Sequence, residues 1–319
     1  MRQTQYVQLQ LPPKVSIILV SYNHADYIGE ALDSIFCQDY DGEIELIVAD
    51  DASSDGTVEI VQRYENRDAR FHFRYLPNDV NLGITKNYQR AFAACTGKYI
   101  AIMEGDDIWL HRRKLSKQVA LLEERSECVL CASNYFIWNQ GAGRYSARTS
   151  VDPSGFMYID TPFIINDNLP GNFSAIVYRA DIVRKLPAQL YDIKAYDWAV
   201  NICAGMYGLL AYIHEPLSAY RVHHKGAWSG LRTVEKIREQ IACAEQYNDL
   251  TGKLYDNEFN SLIQRLKYHE LLAERVNTRG LRKVLRQVKG VAKALMPPIL
   301  ISVLRAILPP AVLSLVARL

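Results

Sequence analysis

No G-x-G-x-x-G follows the first apolar run of this chain and no G-x-x-x-x-G-K-[ST] occurs anywhere, which disfavours a dinucleotide oxidoreductase and a P-loop enzyme. Signal-peptide order, a charged segment followed by an apolar and a cleavable one, is missing at the N-terminus. The cysteines are few and scattered, at 37, 95, 128, 131, 203 and 243. A reducing, cytosolic setting is therefore expected. Cys128 and Cys131 do form C-x-x-C, but Val129, Leu130 and Ala132 make that stretch a core strand, and no second Cys or His pair stands at zinc-ligand spacing. Beyond Glu274 acidic residues are absent, whereas nine Lys and Arg side chains occur there. Removing those nine from the total of 37 leaves 28 basic against 35 acidic residues in the body, a net of −7. Body and tail thus call for different electrostatic partners.

What is present is ordinary globular composition, 49% hydrophobic and 23% charged over 319 residues. That length admits one large α/β domain with an appendage, or two domains. Strand and helix signals alternate through about the first 135 residues. Strands are expected at Val15–Val20, Glu45–Ala49, Phe71–Leu76, Tyr99–Met103 and Val129–Ala132. Helices are expected at Tyr27–Phe36, Thr57–Tyr64, Ile84–Ala94 and Leu115–Glu124. Such repeats imply a doubly wound, mostly parallel, Rossmann-like sheet. From about residue 135 to 175 the pattern becomes irregular, and a long loop is expected there.

Ligands of such sheets sit at the carboxyl edge of the strands. Polar clusters follow three of them: Ser21, Tyr22 and Asn23; then Asp50, Asp51, Ser53, Ser54 and Asp55; then Glu104, Asp106 and Asp107. Asp55, ahead of Gly56 and Thr57, reads equally as a helix cap. The third cluster, in "IAIMEGDDIW", ends a buried run with three carboxylates in four residues. Without water or a cation to compensate them, they would repel one another and suffer desolvation. With no glycine-rich phosphate loop, a carboxylate-held Mg²⁺ or Mn²⁺ that grips a diphosphate is the chemistry these residues suit.

At this point the sequence resembles the inverting nucleotide-sugar glycosyltransferases of family 2, which have the GT-A fold. "VSIILVSYNHADYIGEALDSIFCQ" is similar to the family's opening strand and helix, and "ELIVADDASSDGT" to its nucleotide-binding acidic motif. "NLGITKNYQRAFAACTGKYIAIMEGDD" is similar to the run into its D-x-D metal motif, which one subgroup writes E-G-D-D. "YDWAV" and "YRVHHKGAWS" fall where the family has its catalytic acid motif and a C-terminal His. The likeness spans residues 13 to 229, in co-linear order.

The resemblance implies roles residue by residue. Backbone around Val20 to Tyr22 and the carboxylate of Asp51 would hold the base, uracil being the expectation, while Asp50 would support that loop or reach the ribose. Asp106 would bind the metal, and Asp107 would be a further metal ligand or, with Glu104, complete ribose and neighbouring contacts. Lys86 stands where an Arg often occurs near the diphosphate, keeping the charge but losing the fork geometry. Asp197 would be the general base, although it also reads as the N-cap of the apolar helix that follows. Tyr196 replaces the small polar or acidic residue the family has before it. His223 would be a metal or diphosphate ligand, His224 a weaker choice, and Lys225 and Trp228 part of a lid. His24, His72, His111, His214 and His269 have no such context and read as ordinary residues. Tyr135, Trp138, Tyr145 and Tyr158 would stack on acceptor sugars or simply pack.

The chain from about residue 230 to 319 reads as a helical, basic and apolar extension. Over Leu281–Leu295, apolar residues fall on one helical face and Arg282, Lys283, Arg286, Lys289 and Lys293 on the other, the pattern of an interfacial helix on an anionic membrane. "PPILISVLRAIL" and "PPAVLSLVARL" are too short to span ~20 residues of bilayer-crossing helix. A helical cap or a dimer contact is the other reading of this tail. Nucleic acid fits poorly, because aromatic interleaving is missing. The expectation is a GT-A enzyme at residues 1–229 with an extension over 230–319. It would use a nucleotide-sugar donor, a saccharide or lipid-linked saccharide acceptor and Mg²⁺ or Mn²⁺, at the inner membrane face. The rivals are a nucleotidyltransferase and a membrane-recruited protein that binds a nucleotide without turnover.

Overall fold

A computed structural model of the chain describes residues 12–194, 196–224, 226 and 231–277. The tail segments expected to be amphipathic and apolar, and Lys225 and Trp228, expected in a lid, lie outside the described residues. The described residues form two compact units. The larger runs up to Gly226 and also takes in Gln246–Phe259; the smaller comprises Leu231–Glu245 and the chain from Asn260 onward.

The larger unit is built on one sheet. Its first half holds β1 (Val15–Ser21), α1 (Ile28–Phe36), β2 (Ile44–Asp50), α2 (Thr57–Gln62), β3 (Phe71–Leu76), α3 (Ile84–Ala94) and β4 (Tyr99–Glu104). β1 and β2 are buried at all seven positions, which is why they read as near-continuous apolar runs, interrupted by Ser16 and Glu45, which bond to each other. In α1, Ile28, Ala31, Leu32 and Ile35 recur at helical spacing and pack against Ile17, Leu19, Leu46 and Val48 in the main core. These four strands pair in parallel in the order β3-β2-β1-β4, as the alternating pattern predicts.

The second half departs from a simple parallel repeat. It contains β5 (Ile108–Trp109), α4 (Lys114–Glu124), β6 (Cys128–Asn139), β7 (Arg144–Ala147), β8 (Phe156–Ile159), α5 (Thr161–Asn166), β9 (Ile176–Arg179), α6 (Ala180–Val183), α7 (Asp197–Gly205) and β10 (Leu209–Val222). The sheet continues β4-β9-β6-β10-β5, and β9 runs antiparallel between β4 and β6. The stretch expected to be a long loop is instead the end of β6, the β6-β7 hairpin, β8 and α5. Cys128 and Cys131 are free thiols buried in β6, so the C-x-x-C is core. The smaller unit takes its residues from α8 (Thr233–Leu250) and α9 (Asp256–Asn277), where Arg238 pairs with Glu270 and Glu274. Among the described residues no helix is long and apolar enough to cross a membrane.

Candidate active site

The loops after β1 and β2 are zipped together by the polar residues singled out in the sequence. Asn23 and Ala52 both take the left-handed backbone, at φ 54° and 62°, costly for Ala and tolerated at sites that surrounding bonds over-determine. Those bonds run from Asn23 N to Ser53 Oγ (2.8 Å), Ser54 N to Asn23 Oδ1 (2.9 Å), His24 N to Thr57 Oγ1 (2.9 Å) and Ala25 N to Asp55 Oδ2 (3.1 Å). Asp50 is buried and accepts from Ser21 Oγ (2.9 Å) and Ser53 N (2.8 Å), so its carboxylate supports the loop.

Asp51, expected to face the base, is clamped elsewhere. It accepts from Asn78 Nδ2 (3.0 Å), Leu82 N (2.9 Å) and Gly83 N (2.8 Å), fixing the segment that leads into α3. Three of roughly four acceptor positions are thereby filled, which leaves little for a base N–H. The Val20 carbonyl accepts from Gly105 N at 2.9 Å, while Tyr22 is exposed on the rim. Lys86, in the first turn of α3, pairs with Asp192 at 2.8 Å.

The acid cluster separates into distinct jobs. Asp107 is fully buried and accepts from Ser174 Oγ (2.7 Å), Asn172 Nδ2 (3.1 Å) and Arg221 N (2.9 Å). Ser174 Oγ in turn accepts from Glu104 N at 3.0 Å. Asp107 is thus the knot that ties the β4–β5 turn to β10 and to the Asn172–Ser174 corner. As a metal ligand, its expected alternative, it would have to give up donors that nothing else buried there would satisfy. Burial and the neighbouring Asp106 charge push its pKa up to about 7.

Asp106 points the other way. Its Oδ2 lies 2.9 Å from His223 Nε2 and 3.9 Å from His24 Nε2. Burial opposes its charge, but the bond to His223 and the two imidazoles reverse the effect and hold its pKa below the ordinary carboxylate value. His224 is exposed, so of the adjacent pair it is His223 that meets the acid rim. His24 is a site residue the sequence reading passed over. Burial lowers its pKa below 6.5, which favours the neutral ring, and its Nδ1 is buried without a hydrogen-bond partner. Gly105 is what admits it: a Cβ there would come within 2.7 Å of His24 Nδ1.

Glu104 is held well above the usual carboxylate range, first by burial and then by the charges of Asp107, Asp106 and Asp197. Asp197 therefore shares the same cleft. It is the first residue of α7, whose N-cap is Tyr196, so the capping alternative does not hold. Its Oδ2 accepts from Asn168 Nδ2 at 3.1 Å. Burial pushes its pKa up to about 6, with the Asn168 bond pulling the other way. Tyr220 faces this group, and burial plus all four acids raises its phenol. Tyr135, by contrast, is buried and donates to the Gly171 carbonyl, and Tyr158 donates to Glu127, so neither presents a platform to this cleft.

Arg221 was equally illegible as a site residue. Its Nε donates to the Asp106 carbonyl (2.7 Å), its backbone N–H to Asp107, and its guanidinium to Glu30, while it stacks over Tyr27 and Trp138. It holds the turn that presents Asp106.

These residues fit a divalent cation. Four carboxylates crowd one buried edge, and Glu104 is driven toward its protonated form for want of positive charge. Among the described residues no three His, Cys, Asp or Glu side chains are set to enclose a metal by themselves. A cation held by one or two protein groups and completed by phosphate oxygens and water is the usual arrangement for Mg²⁺-type sites.

Comparisons with known proteins agree on the kind of molecule. The family model described as Glycosyl transferase family 2 matches residues 16–186. TuaG of Bacillus subtilis, named for teichuronic acid biosynthesis and as a glycosyltransferase, is 37% identical over 250 residues, covering 74% of this chain and 94% of TuaG. An uncharacterized protein of Mycobacterium tuberculosis is 30% identical over 219 residues, covering 69% of this chain. The matched part is 62% of that mycobacterial protein's length. Two solved structures share the fold. TarS 1-349 of S. aureus in complex with UDP-GlcNAc superposes with a TM-score of 0.57 at 17% identity, covering 77% of this chain and 73% of that one. A mannosyltransferase of Pyrobaculum calidifontis in complex with GDP-Man and Mn²⁺ gives 0.56 at 18%, covering 89% and 81%.

The assignment of Asp107 has a direct check. In urea unfolding with a chelator present, Asp107→Ala should lose roughly 2–3 kcal/mol, because it orphans buried donors. Unchanged or higher stability would return Asp107 to the role of metal ligand.

Proposed function

The chain belongs to glycosyltransferase family 2, and on that premise we propose that it transfers a sugar, with inversion, from a nucleoside diphosphate donor to a saccharide or lipid-linked saccharide acceptor. The observation that carries this reading is the convergence of Asp106, Glu104 and Asp197 on one sheet edge, close enough that the charges of Asp106 and Asp197 help to raise Glu104. The donor's diphosphate would lie along Asp106 and His223, and Tyr22 would flank the nucleoside. Asp106 and His223 are the residues that would hold Mn²⁺ or Mg²⁺, whose charge would neutralise the leaving diphosphate.

Asp197 acts on the other reactant. As the acceptor hydroxyl oxygen forms its bond to the anomeric carbon, the carbon–oxygen bond to the diphosphate breaks, and the electron pair leaves with the phosphate oxygen. The hydroxyl proton goes to the carboxylate of Asp197. A single displacement of this kind inverts the anomeric centre. The bond from Asn168 fixes one carboxylate oxygen and favours the ionised base. A pKa near 6 suits this work, because the group is ionised at neutral pH yet basic enough to take a proton.

TuaG's name supports a place in surface polysaccharide synthesis. The basic sequence beyond Glu274 supports work at an anionic membrane surface on the cytoplasmic side. The structural neighbours bind UDP-GlcNAc and GDP-Man, so either nucleotide is a candidate.

Two measurements test the reading. In titration calorimetry, UDP or GDP should bind in the presence of Mn²⁺ and much more weakly without it; equal binding without metal, or none with it, contradicts the cation seat. The pH dependence of kcat/KM should show activity rising through an acid limb near 6 and lost below it, as Asp197 takes up its proton. Asn168→Ala should move that limb upward, since the bond favouring the charged form is gone. Asp197→Asn should keep donor binding and lose roughly 100-fold or more in turnover. Full turnover in that variant removes Asp197 from the mechanism.

A further inference from the structure

Asp197 opens α7 without help from a cap: Tyr196 stands at the N-cap, and its side chain makes no capping bond. A helix start of this kind is held by packing. Trp198, the next residue, is buried, and two contacts fix it. Its indole N–H donates to the Ile164 carbonyl of α5 at 2.8 Å. Its ring meets that of Tyr247 edge to face, with centroids 5.7 Å apart and planes 85° from parallel. Tyr247 is only 1% exposed, and its hydroxyl donates to the Lys194 carbonyl at 3.3 Å. One side chain therefore grips the chain on both sides of Asp197, the backbone before it through the hydroxyl and Trp198 after it through the ring.

Tyr247 comes from a distant part of the sequence, near the end of α8, on a corner that is itself well built. Asn248 Nδ2 donates to Asp256 Oδ1 (2.8 Å), and Thr251 Oγ1 donates to the Asn248 carbonyl (2.8 Å). Gly252 and Lys253 turn the chain in the left-handed region, at φ 60° and 61°, and Phe259 is fully buried. Residues 246–259 belong to the larger unit together with the sheet and α7, although the family match ends at residue 186 and covers neither. Asp197 is half-buried, and burial is what raises its pKa. The groups that face it are Asn168, Glu104 of β4, Tyr135 of β6, Tyr178 of β9 and Tyr220 of β10. None of these carries a positive charge. The state of the base thus depends on how dry the start of α7 stays.

We propose that Tyr247 is a positioning residue for the transfer reaction: its ring, through Trp198, closes the start of α7 to water, and its hydroxyl ties down the segment that leads into Asp197. This rests on the reading of Asp197 as the base. The corner at 246–259 is then part of the catalytic unit, supplied by the chain beyond the family-matched residues.

The test follows the Asp197 carboxyl by NMR in the full chain labelled with carboxyl-¹³C aspartate, its resonance identified by its loss in Asp197→Asn. In the unaltered chain it should titrate near pH 6. Tyr247→Ala should bring the midpoint down toward the ordinary Asp value of about 4, as water reaches the helix start. Tyr247→Phe, which keeps the ring, should restore the wild-type midpoint. Binding of UDP or GDP with Mn²⁺, measured on the same samples, should be unchanged by either substitution. A wild-type midpoint in Tyr247→Ala overturns the proposal, and so does loss of nucleotide binding in that variant alone, which would make the ring a general prop of the fold. Should Tyr247→Ala not fold, Tyr247→Leu is read by the same criteria, and failure of both to fold overturns the proposal as well. The titration needs no turnover. Full turnover of Asp197→Asn, or nucleotide binding absent already in the unaltered chain, would count against the transfer reaction, while the midpoint still decides the role of Tyr247.

Discussion

Everything in the larger unit turns on how four carboxylates share one buried edge. Glu104, Asp106, Asp107 and Asp197 cannot all be charged in a low-dielectric cleft without compensation. The fold divides the difficulty. Asp107 is surrounded by donors from Ser174, Asn172 and the backbone of Arg221. Asp106 is given two imidazoles and stays ionised. Glu104 and Asp197 receive no equivalent charge and are pushed upward. One is left in want of a cation, and the other becomes a base of useful strength. The same arrangement therefore serves folding and chemistry, with Arg221 linking both: it bonds to the backbone of the very turn whose side chain it presents.

That linkage also gives β10 its double character. Alternation along the strand sends Tyr220 into the transfer cleft and Arg221 toward α1, so the end of one strand borders both the reactive edge and a cavity between α1, β5 and the β6-β7 hairpin. The carboxyl-edge rule for open sheets locates the reactive edge. The cavity depends on the β6-β7 hairpin, which stacks Tyr145 on Trp138.

The part of the fold that could be read in the sequence is the part with strong periodicity. β1, β2 and β4 are buried on both faces, β3 alternates Phe71, Phe73 and Tyr75 with exposed His72 and Arg74, and α1 and α3 carry clear helical spacing, so their bounds agree with the structure to within a residue or two. β9 could not be read that way. It is four residues long, and its place between β4 and β6 is set by contacts far away in sequence. β7 and β8 are short and half exposed, so alternation hardly marks them. β10 is broken by register shifts around Pro216, which disguised a 14-residue strand as a short one. At the site, the acids were visible because three of them stand in four residues. Which of them is structural was not visible, because the deciding donors come from Asn172, Ser174 and Arg221. His24 lacked any neighbour in sequence to mark it; only folding sets it beside Asp106 and His223.

The claim on which the functional reading stands is that this edge seats a cation carrying a diphosphate. The most direct measurement is a crystal soaked with UDP or GDP and Mn²⁺, with data collected at a wavelength where manganese scatters anomalously. An anomalous peak within coordination distance, about 2.0–2.3 Å, of Asp106 with diphosphate oxygens completing its shell is the predicted result. Nucleotide bound in the cleft with manganese away from Asp106, or with no manganese at all, would contradict it.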